Sequence, residues 1–202
     1  MDSNHYDGDP AGAEVPSTAK ILIAGGFGVG KTTLVGSISE IRPLRTEEPL
    51  SDRSVGIDDT RDVSAKTTTT VALDFGRISF PNDLVLYLFG TPGQERFWFM
   101  WDDLAIGAIG AVIMADTRRI GDSFASIDYF ERNGLPFIIA VNCFDGATRF
   151  EPADIRIALT LRPEVPIVLC DARQHESVKS VLVSLVRHVM TASPADTAAF
   201  SQ

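Results

Sequence analysis

The sequence is poor in cysteine and lacks long apolar runs. Its two cysteines, Cys143 and Cys170, are too far apart for a metal-binding spacing or a redox pair, which suggests free thiols in a reducing compartment. The acidic start MDSNHYDGDP does not have the pattern of a secretion signal. No apolar run approaches the roughly 20 residues of a membrane span, and neither end offers a lipid attachment point. We expect a cytoplasmic protein without a direct membrane anchor, which would need a partner for recruitment to the inner face of a membrane.

Positive charge is also scarce. The chain has 18 Lys and Arg residues against 27 Asp and Glu residues, which gives a formal net charge of −9. A field of this sign repels polyanions, so nucleic acid and anionic membrane surfaces are disfavoured as primary partners. Any phosphate-bearing ligand must therefore be held by local chemistry.

Apolar strands alternate regularly with amphipathic helices along most of the chain. Runs such as KILIAG and PFIIAVNCF predict strands. The alternation predicts an α/β fold, with helices on both faces of a mostly parallel six-stranded sheet. The predicted hairpin of TVALDFGRISF and DLVLYLF supplies one antiparallel edge strand. In the last helix, three- and four-residue spacing predicts one buried face, formed by Val178, Val181, Leu182, Leu185, Val186 and Val189.

The chain is long enough for one domain and too short to divide comfortably into two. We expect this domain over residues 19–190, with an acidic, disordered tail at 1–18 and a flexible tail at 191–202. Residues 42–66 carry two prolines and many acids. This composition predicts a long loop, either a functional lid or a disordered segment.

A phosphate-binding loop lies between the first predicted strand and the first predicted helix. The stretch GGFGVGKT fits glycine, any four residues, Gly-Lys-Thr, in the context that confirms the motif. Its glycines let backbone N–H groups wrap a phosphate. Lys31 would neutralise the β- and γ-phosphates, and the Thr32 hydroxyl would bind Mg²⁺. The predicted nucleotide-binding residues are Gly25, Gly26, Phe27, Gly28, Val29, Gly30, Lys31, Thr32 and Thr33.

The order of motifs resembles the Ras-like small GTPases, and within them the bacterial MglA-like branch and the conservon GTPases of actinobacteria. This resemblance, over about residues 20–190, implies a P-loop NTPase G-domain that binds GTP and GDP with Mg²⁺. It implies that Thr70, directly before VALDF, is the first-switch threonine that meets Mg²⁺, with the threonines at 67–69 as alternatives. Gly93 would offer its N–H to the γ-phosphate, and Gln94 would orient the attacking water. The implied catalytic residues are Gln94, Thr70 and Lys31, and the implied metal ligands are Thr32 and Thr70.

Two later motifs would contact the base. NCFD resembles the guanine-reading Asn-Lys-x-Asp, which implies that Asn142 contacts the base and that Asp145 accepts from guanine N1–H and its amino group. In CDAR, the resemblance implies that the Ala172 N–H donates to guanine O6 and that Arg173 stacks on the base edge. Chemistry independently favours guanine, because a carboxylate accepts from its donor edge and repels the lone pair on adenine N1.

Three residues depart from the family pattern. Gly90 stands where an aspartate usually holds Mg²⁺ through a water, and the loss of such a group typically weakens metal affinity by about 10- to 100-fold. Cys143 replaces a lysine whose stem packs along the nucleotide, which predicts weaker guanine affinity. Phe27 would crowd an arginine that reaches in from a partner, which predicts slow or differently stimulated hydrolysis.

Other residues could compensate for these departures. Asp74, on the neighbouring strand, could substitute for the missing acid at Gly90, although we favour a solvent-facing Asp74. Arg53 and Arg61 are either internal arginine fingers or, as we favour, solvated loop charges. Arg118 and Arg119 are interpreted as part of a solvated turn.

Three functions remain open. The first is a switch that hydrolyses GTP. The second is a nucleotide-dependent scaffold without hydrolysis, in which Gly90, Cys143 and Phe27 would result from the loss of catalysis. A P-loop kinase is the third and least supported, because the sequence offers guanine-like motifs rather than an acceptor pocket and lid arginines.

The resemblance implies that the turn containing Gly93, Gln94 and Glu95 is the second switch, and an aromatic run, RFWFMWDDL, follows it. Its five consecutive bulky residues cannot all face inward on a helix, so at least one or two should be exposed, and exposed aromatics suit a binding hot spot. We favour an interface role for Trp98 or Trp101. The resemblance implies a roadblock-domain partner and, for conservon proteins, a sensor-kinase-like membrane protein.

Overall fold

The computed structural model describes residues 17–42, 44–49, 70–81, 83–93 and 95–191. The strands in these residues are β1 (Ser17–Gly25), β2 (Leu44–Pro49), β3 (Thr70–Phe80), β4 (Leu84–Gly90), β5 (Ala108–Ala115), β6 (Phe137–Asn142) and β7 (Ile167–Cys170). The α-helices are α1 (Lys31–Ile38), α2 (Trp101–Ala105), α3 (Phe124–Arg132), α4 (Pro152–Ala158) and α5 (His175–Thr191). Two 3₁₀ helices span Glu95–Met100 and Thr117–Ser123.

The seven strands form one sheet in the order β2-β3-β4-β1-β5-β6-β7. Neighbouring strands from β4 to β7 in this order pair in parallel, and β3 is antiparallel to both of its neighbours. In such a sheet the carboxyl ends of the parallel strands share one edge, where ligands bind in open α/β folds. The loops after β1, β4, β5, β6 and β7 therefore meet on one side of the molecule.

The α/β fold class is confirmed, but the sheet has one strand more than the six predicted. β2 lies in the segment predicted as a long loop and pairs antiparallel with β3, from Leu44 opposite Phe75 to Pro49 opposite Thr70. β3 is therefore inside the sheet, and the predicted antiparallel edge strand is not at the edge. The prediction missed β2 because LRTEEP contains charges and a proline, which an edge strand tolerates since one side of its backbone is unpaired.

Helices cover both faces of the sheet, as predicted. Alternate side chains of β1 enter opposite layers: Ile21 and Ile23 pack with α1 and α5, and Leu22 and Ala24 pack with α3 and α4. Each fully buried aliphatic side chain contributes about 1.5–3 kcal/mol to stability. These two layers fix the strand ends, and the loops that follow, in place.

The predicted buried face of α5 is mostly confirmed. Val178, Val181, Leu182 and Leu185 are buried, and Val189 packs at the margin of the core. Val186 is exposed instead. It lies about 80° around the helix from Val178, at the border of the apolar stripe.

The elements begin and end close to the predicted domain limits. β1 begins at Ser17, two residues before the predicted start at residue 19, and α5 ends at Thr191. The predicted tails lie mainly outside the described residues, so the division into one domain and two tails stays a prediction. None of the helices within the described ranges is long and apolar enough to cross a membrane.

Candidate functional site

The loop between β1 and α1 contains three glycines with positive φ, of which Gly25 and Gly30 are also closely packed. Gly25 and Gly30 have φ values of 128° and 109°, which residues with a side chain rarely adopt. A Cβ atom on Gly25 would collide with the Met114 carbonyl, and one on Gly30 would lie 2.7 Å from Nδ2 of Asn142. α1 begins at Lys31, directly after this loop. Loop amides followed by a helix N-terminus form the arrangement that binds phosphate groups in proteins.

The Lys31 amine lies beneath the loop. Its Nζ donates to the carbonyl oxygens of Gly25 and Gly26, each at 2.8 Å. Burial lowers the pKa of Lys31 to about 8, and the charge of Asp74 opposes this shift. A buried ammonium is costly when its hydrogen bonds go to neutral groups, and a bound anion would remove that cost. The structure thus places Lys31 where the motif predicts a phosphate.

Gly93, which follows β4, lies against the same loop. A Cβ atom on Gly93 would lie 2.7 Å from Lys31 Nζ and 3.0 Å from the main-chain nitrogen of Phe27. A residue with a side chain would push these groups apart, so the approach depends on glycine. Gln94, predicted to orient the attacking water, lies outside the described residues.

Asp74 lies beside Gly90, the position where the family pattern has an acid. The two residues are directly opposite each other on β3 and β4, and a Cβ atom on Gly90 would lie 2.9 Å from the Asp74 Cβ. The Thr32 hydroxyl donates to Oδ2 of Asp74 at 2.6 Å. Our expectation that Asp74 faces solvent is wrong. The alternation of side chains along β3 places Asp74 on the same face as Gly76, against which α1 packs.

The other predicted metal ligand is described only in part. Thr70 begins β3, where its backbone pairs with Pro49, but its side chain and residues 67–69 lie outside the described part of the chain.

Beside Gly90, the Thr91 hydroxyl is buried and has no hydrogen-bond partner among the described residues. Such groups usually bind water or a ligand.

Asn142 links the phosphate loop to the loop after β7. Its Nδ2 donates to the Val29 carbonyl at 3.0 Å, and its Oδ1 accepts from the Ala172 N–H at 3.1 Å. The side chain is 7% exposed. Asn142 thus holds together the two loops predicted to contact phosphate and base. A direct contact of Asn142 or Ala172 with a base stays a prediction.

The predicted base-reading carboxylate forms an ion pair with Arg173. Asp145 accepts from Nη1 and Nη2 of Arg173 at 2.7 and 3.0 Å, and Asp171 accepts from Nε and Nη2 at 2.9 and 2.8 Å. These hydrogen bonds hold the pKa values of both carboxyl groups below their ordinary range. All three residues line a surface cleft of about 440 Å³ beside Cys143. Arg173 therefore reaches the predicted base site, where its guanidinium contacts the two acids.

Two arginines after β5 were missed as parts of the site. Arg118 donates from Nε and Nη2 to the buried Asp116 carboxylate, and its guanidinium lies 4.0 Å from the centre of the Phe144 ring. Arg119 donates from Nη2 to the Phe27 carbonyl at 2.9 Å. Both side chains are half exposed, in keeping with the predicted solvated turn, but each also has a hydrogen-bond partner in the fold. Their position after a parallel strand, at the same edge as the phosphate loop, is the signal that could have found them.

The aromatic run after the second switch is divided between core and surface, as predicted. Trp101 is 2% exposed, stacks on Phe130 and donates from Nε1 to the Pro92 carbonyl at 3.3 Å. Trp98 and Phe99 are 37% and 49% exposed. Trp101 is thus part of the core, whereas Trp98 and Phe99 form an aromatic surface next to the second switch.

The geometry of these loops identifies the class of protein. A glycine loop between a parallel strand and a helix, with a buried lysine beneath it and a second glycine turn against it, characterises a P-loop nucleotide-binding protein with a G-domain fold. Residues 23–192 match the family model described as "Conserved hypothetical ATP binding protein", and the chain belongs to this family.

Two relatives align with much of the chain. Uncharacterized protein MJ1339 of Methanocaldococcus jannaschii is 29% identical over 128 residues, covering 62% of this chain and 70% of that protein. Ras-related protein Rab-18-B of Danio rerio is 25% identical over 186 residues, covering 88% of this chain and 82% of that protein. Both matches extend over more than two thirds of the relative's own length.

Solved structures share the fold at low sequence identity. The G domain of the T. maritima FeoB iron transporter superposes with a TM-score of 0.60 at 18% identity, covering 85% of this chain and 98% of that domain. The cytosolic domain of the same transporter in its GMPPNP form gives a TM-score of 0.62 at 16% identity and 87% coverage of this chain. The chain spans 65% of that longer structure. These matches confirm the predicted G-domain type of P-loop NTPase fold.

Proposed function

We propose that this protein is a guanine-nucleotide switch of the MglA-like or conservon type, which binds GTP and GDP with Mg²⁺ and hydrolyses GTP slowly. The observation that carries the proposal is the meeting of Lys31 Nζ, the Phe27 backbone and the Gly93 backbone at one point of the loop. Loss of the γ-phosphate at this point would release Gly93. The order of residues 42–70 and 91–103 would then change, and with it the affinity for partners.

The residues around Thr32 fit a magnesium ion. The ion would neutralise charge on the β- and γ-phosphates. Because the Thr32 hydroxyl donates its hydrogen to Asp74 at 2.6 Å, its lone pairs remain available to a cation. Thr32 and Thr70 would hold the ion, and Asp74 would orient Thr32 or bind a water of the ion.

The base site favours guanine. The family description names ATP, whereas the Asp145 carboxylate offers acceptors alone, which suit the N1–H and amino group of guanine and not the N1 lone pair of adenine. The FeoB cytosolic domain was solved in a GMPPNP form. We therefore propose GTP and GDP as the ligands.

The Asp145→Asn variant tests the proposed base specificity. We expect its preference for GTP over ATP to fall at least tenfold, because a hydrogen bond to a charged group contributes about 1.5–3 kcal/mol. Competition of GTP and ATP against a fluorescent GDP analogue measures the preference. Asp154→Asn, an exposed acid on α4, is the control. If the Asp145 variant kept its GTP selectivity, Asp145 would not be the base reader, and equal competition by ATP in the wild type would favour a kinase.

The Arg173→Ala variant tests competition within the base site. The guanidinium offers Asp145 two parallel N–H donors, as the guanine edge does, so the two groups compete for the carboxylate. Exposed ion pairs are weak, which predicts GDP association only up to about fivefold faster in the variant. Stopped-flow fluorescence measures the rate. Arg149→Ala, at the same cleft, should give no acceleration. Slower association of the Arg173 variant would mean that Arg173 contacts the nucleotide, as the resemblance implies.

We further propose that Trp98 and Phe99 contact a roadblock-domain partner when GTP is bound. Their exposure beside the second switch supports this role, because exposed aromatic residues are typical interface anchors. From the same resemblance we propose that the protein is cytoplasmic and that a sensor-kinase-like complex recruits it to the membrane.

A non-hydrolysing scaffold is the second candidate, and Phe27 favours it. Its side chain is 67% exposed on the phosphate loop, where it would crowd an arginine from an activating partner. Single-turnover assays with radiolabelled GTP separate the two functions. GTP binding without phosphate release above the buffer rate, with and without a roadblock partner, would identify the scaffold.

A further inference from the structure

Arg119 reaches from the loop after β5 to the phosphate loop. It lies in the 3₁₀ helix Thr117–Ser123, whose helical backbone is interrupted at this residue. Its Nη2 donates to the Phe27 carbonyl at 2.9 Å, and a Cβ atom on Gly28 would lie 3.7 Å from the same nitrogen. A positive charge is therefore held at the segment of the loop that Gly93 also approaches.

The charge of Arg119 is paired more loosely than that of its neighbour. Arg118 lies 2.7 Å from the Asp116 carboxylate through Nη2. Arg119 lies 3.8 Å from the carboxylates of both Asp116 and Asp122, beyond hydrogen-bonding distance, and its side chain is half exposed. Its hydrogen bond in the described residues goes to a neutral carbonyl. A guanidinium that donates only to a neutral carbonyl can donate to an anionic oxygen instead, because hydrogen bonds to charged acceptors are stronger.

We propose that Arg119 is the catalytic arginine for GTP hydrolysis, supplied by the chain itself. The inference rests on the proposed function. Water adds to the γ-phosphorus, the bond from this phosphorus to the oxygen shared with the β-phosphate breaks, and GDP, inorganic phosphate and one proton are released. Negative charge grows on that shared oxygen, to which the Arg119 guanidinium donates. Arg119 contacts the main-chain carbonyl of Phe27 within the same chain, so this assignment needs no arginine from a partner to pass the Phe27 side chain.

Single-turnover hydrolysis with the full chain tests the proposal. We expect Arg119→Ala to slow phosphate release by about 10³-fold or more, the effect typical of a catalytic arginine. Its GDP dissociation constant should stay within about threefold of the wild-type value. Binding of aluminium fluoride to the GDP complex, a mimic of the transferred phosphoryl group, should be lost in the variant. Arg187→Ala removes one charge from the exposed side of α5 and should change none of these values.

The outcomes separate this inference from the proposed function. If the wild type does not bind GDP, the proposed function fails. If the wild type binds GDP but neither hydrolyses GTP nor binds aluminium fluoride, the assignment of Arg119 is overturned while nucleotide binding stands. If Arg119→Ala loses GDP affinity and hydrolysis in equal proportion, Arg119 is a structural brace of the loop and the inference is again overturned.

Discussion

Replacing Lys31 by alanine is expected to weaken GDP and GTP binding by about 30-fold to several thousandfold. Truncating one partner of a buried, hydrogen-bonded charge pair costs about 2–5 kcal/mol. Nζ of Lys31 is partly buried beneath the loop that would hold the phosphates, and a bound phosphate would bury it further. Isothermal titration calorimetry with each nucleotide and Mg²⁺ measures the loss.

Thermal unfolding without nucleotide shows whether the Lys31 variant is folded. Because burial lowers the pKa of Lys31, its charge is a cost to the ligand-free protein. We therefore expect the variant to unfold at a temperature no lower than the wild type. A GDP concentration that saturates the wild type should stabilise the variant much less. Lys179→Ala, an exposed lysine on α5, should keep wild-type affinity. An unchanged dissociation constant in a folded Lys31 variant would contradict the phosphate-loop assignment.

The parts of the site that depend on local backbone chemistry could be predicted from sequence. The phosphate loop is such a case, because Gly25 and Gly30 must adopt positive φ and Lys31 must follow them directly. The helices were predictable for a similar reason, since the spacing of apolar residues in α5 records which face is buried. These signals lie within a few residues of one another in the chain.

The parts that depend on tertiary approach could not be predicted in the same way. Asp74 and Thr32 are 42 residues apart, and Arg119 and Phe27 are 92 apart. Their contacts follow from strand order and register, which a sequence pattern specifies weakly. β2 escaped prediction for a related reason: its charges and proline contradict strand propensity, and pairing with the free edge of β3 overrides that preference.

Removing the Asp74 carboxylate from β3 is expected to weaken magnesium binding. Placing a carboxylate at position 90 of β4 instead is expected to restore it. Asp74→Ala should raise the free Mg²⁺ concentration needed for slow GDP release by about 10- to 100-fold, the usual cost of losing a group that orients a metal site. GDP affinity in the presence of a chelator should change little. Release of a fluorescent GDP analogue, followed across a Mg²⁺ titration, gives both values. Asp128→Ala, an exposed acid on α3, is the control.

The restoring variant combines Asp74→Gly with Gly90→Asp. Glycine is required at position 74, because a Cβ atom on residue 90 lies 2.9 Å from the Cβ of residue 74 in this cross-strand pair. Gly90→Asp alone should destabilise the fold through that contact and through repulsion between the two carboxylates. The double variant places one carboxylate beside Thr32 again, so its Mg²⁺ dependence should approach that of the wild type. If Asp74→Ala left the Mg²⁺ dependence unchanged or strengthened it, Asp74 would restrain Thr32 without serving the metal, and the acid missing at Gly90 would have no replacement on β3.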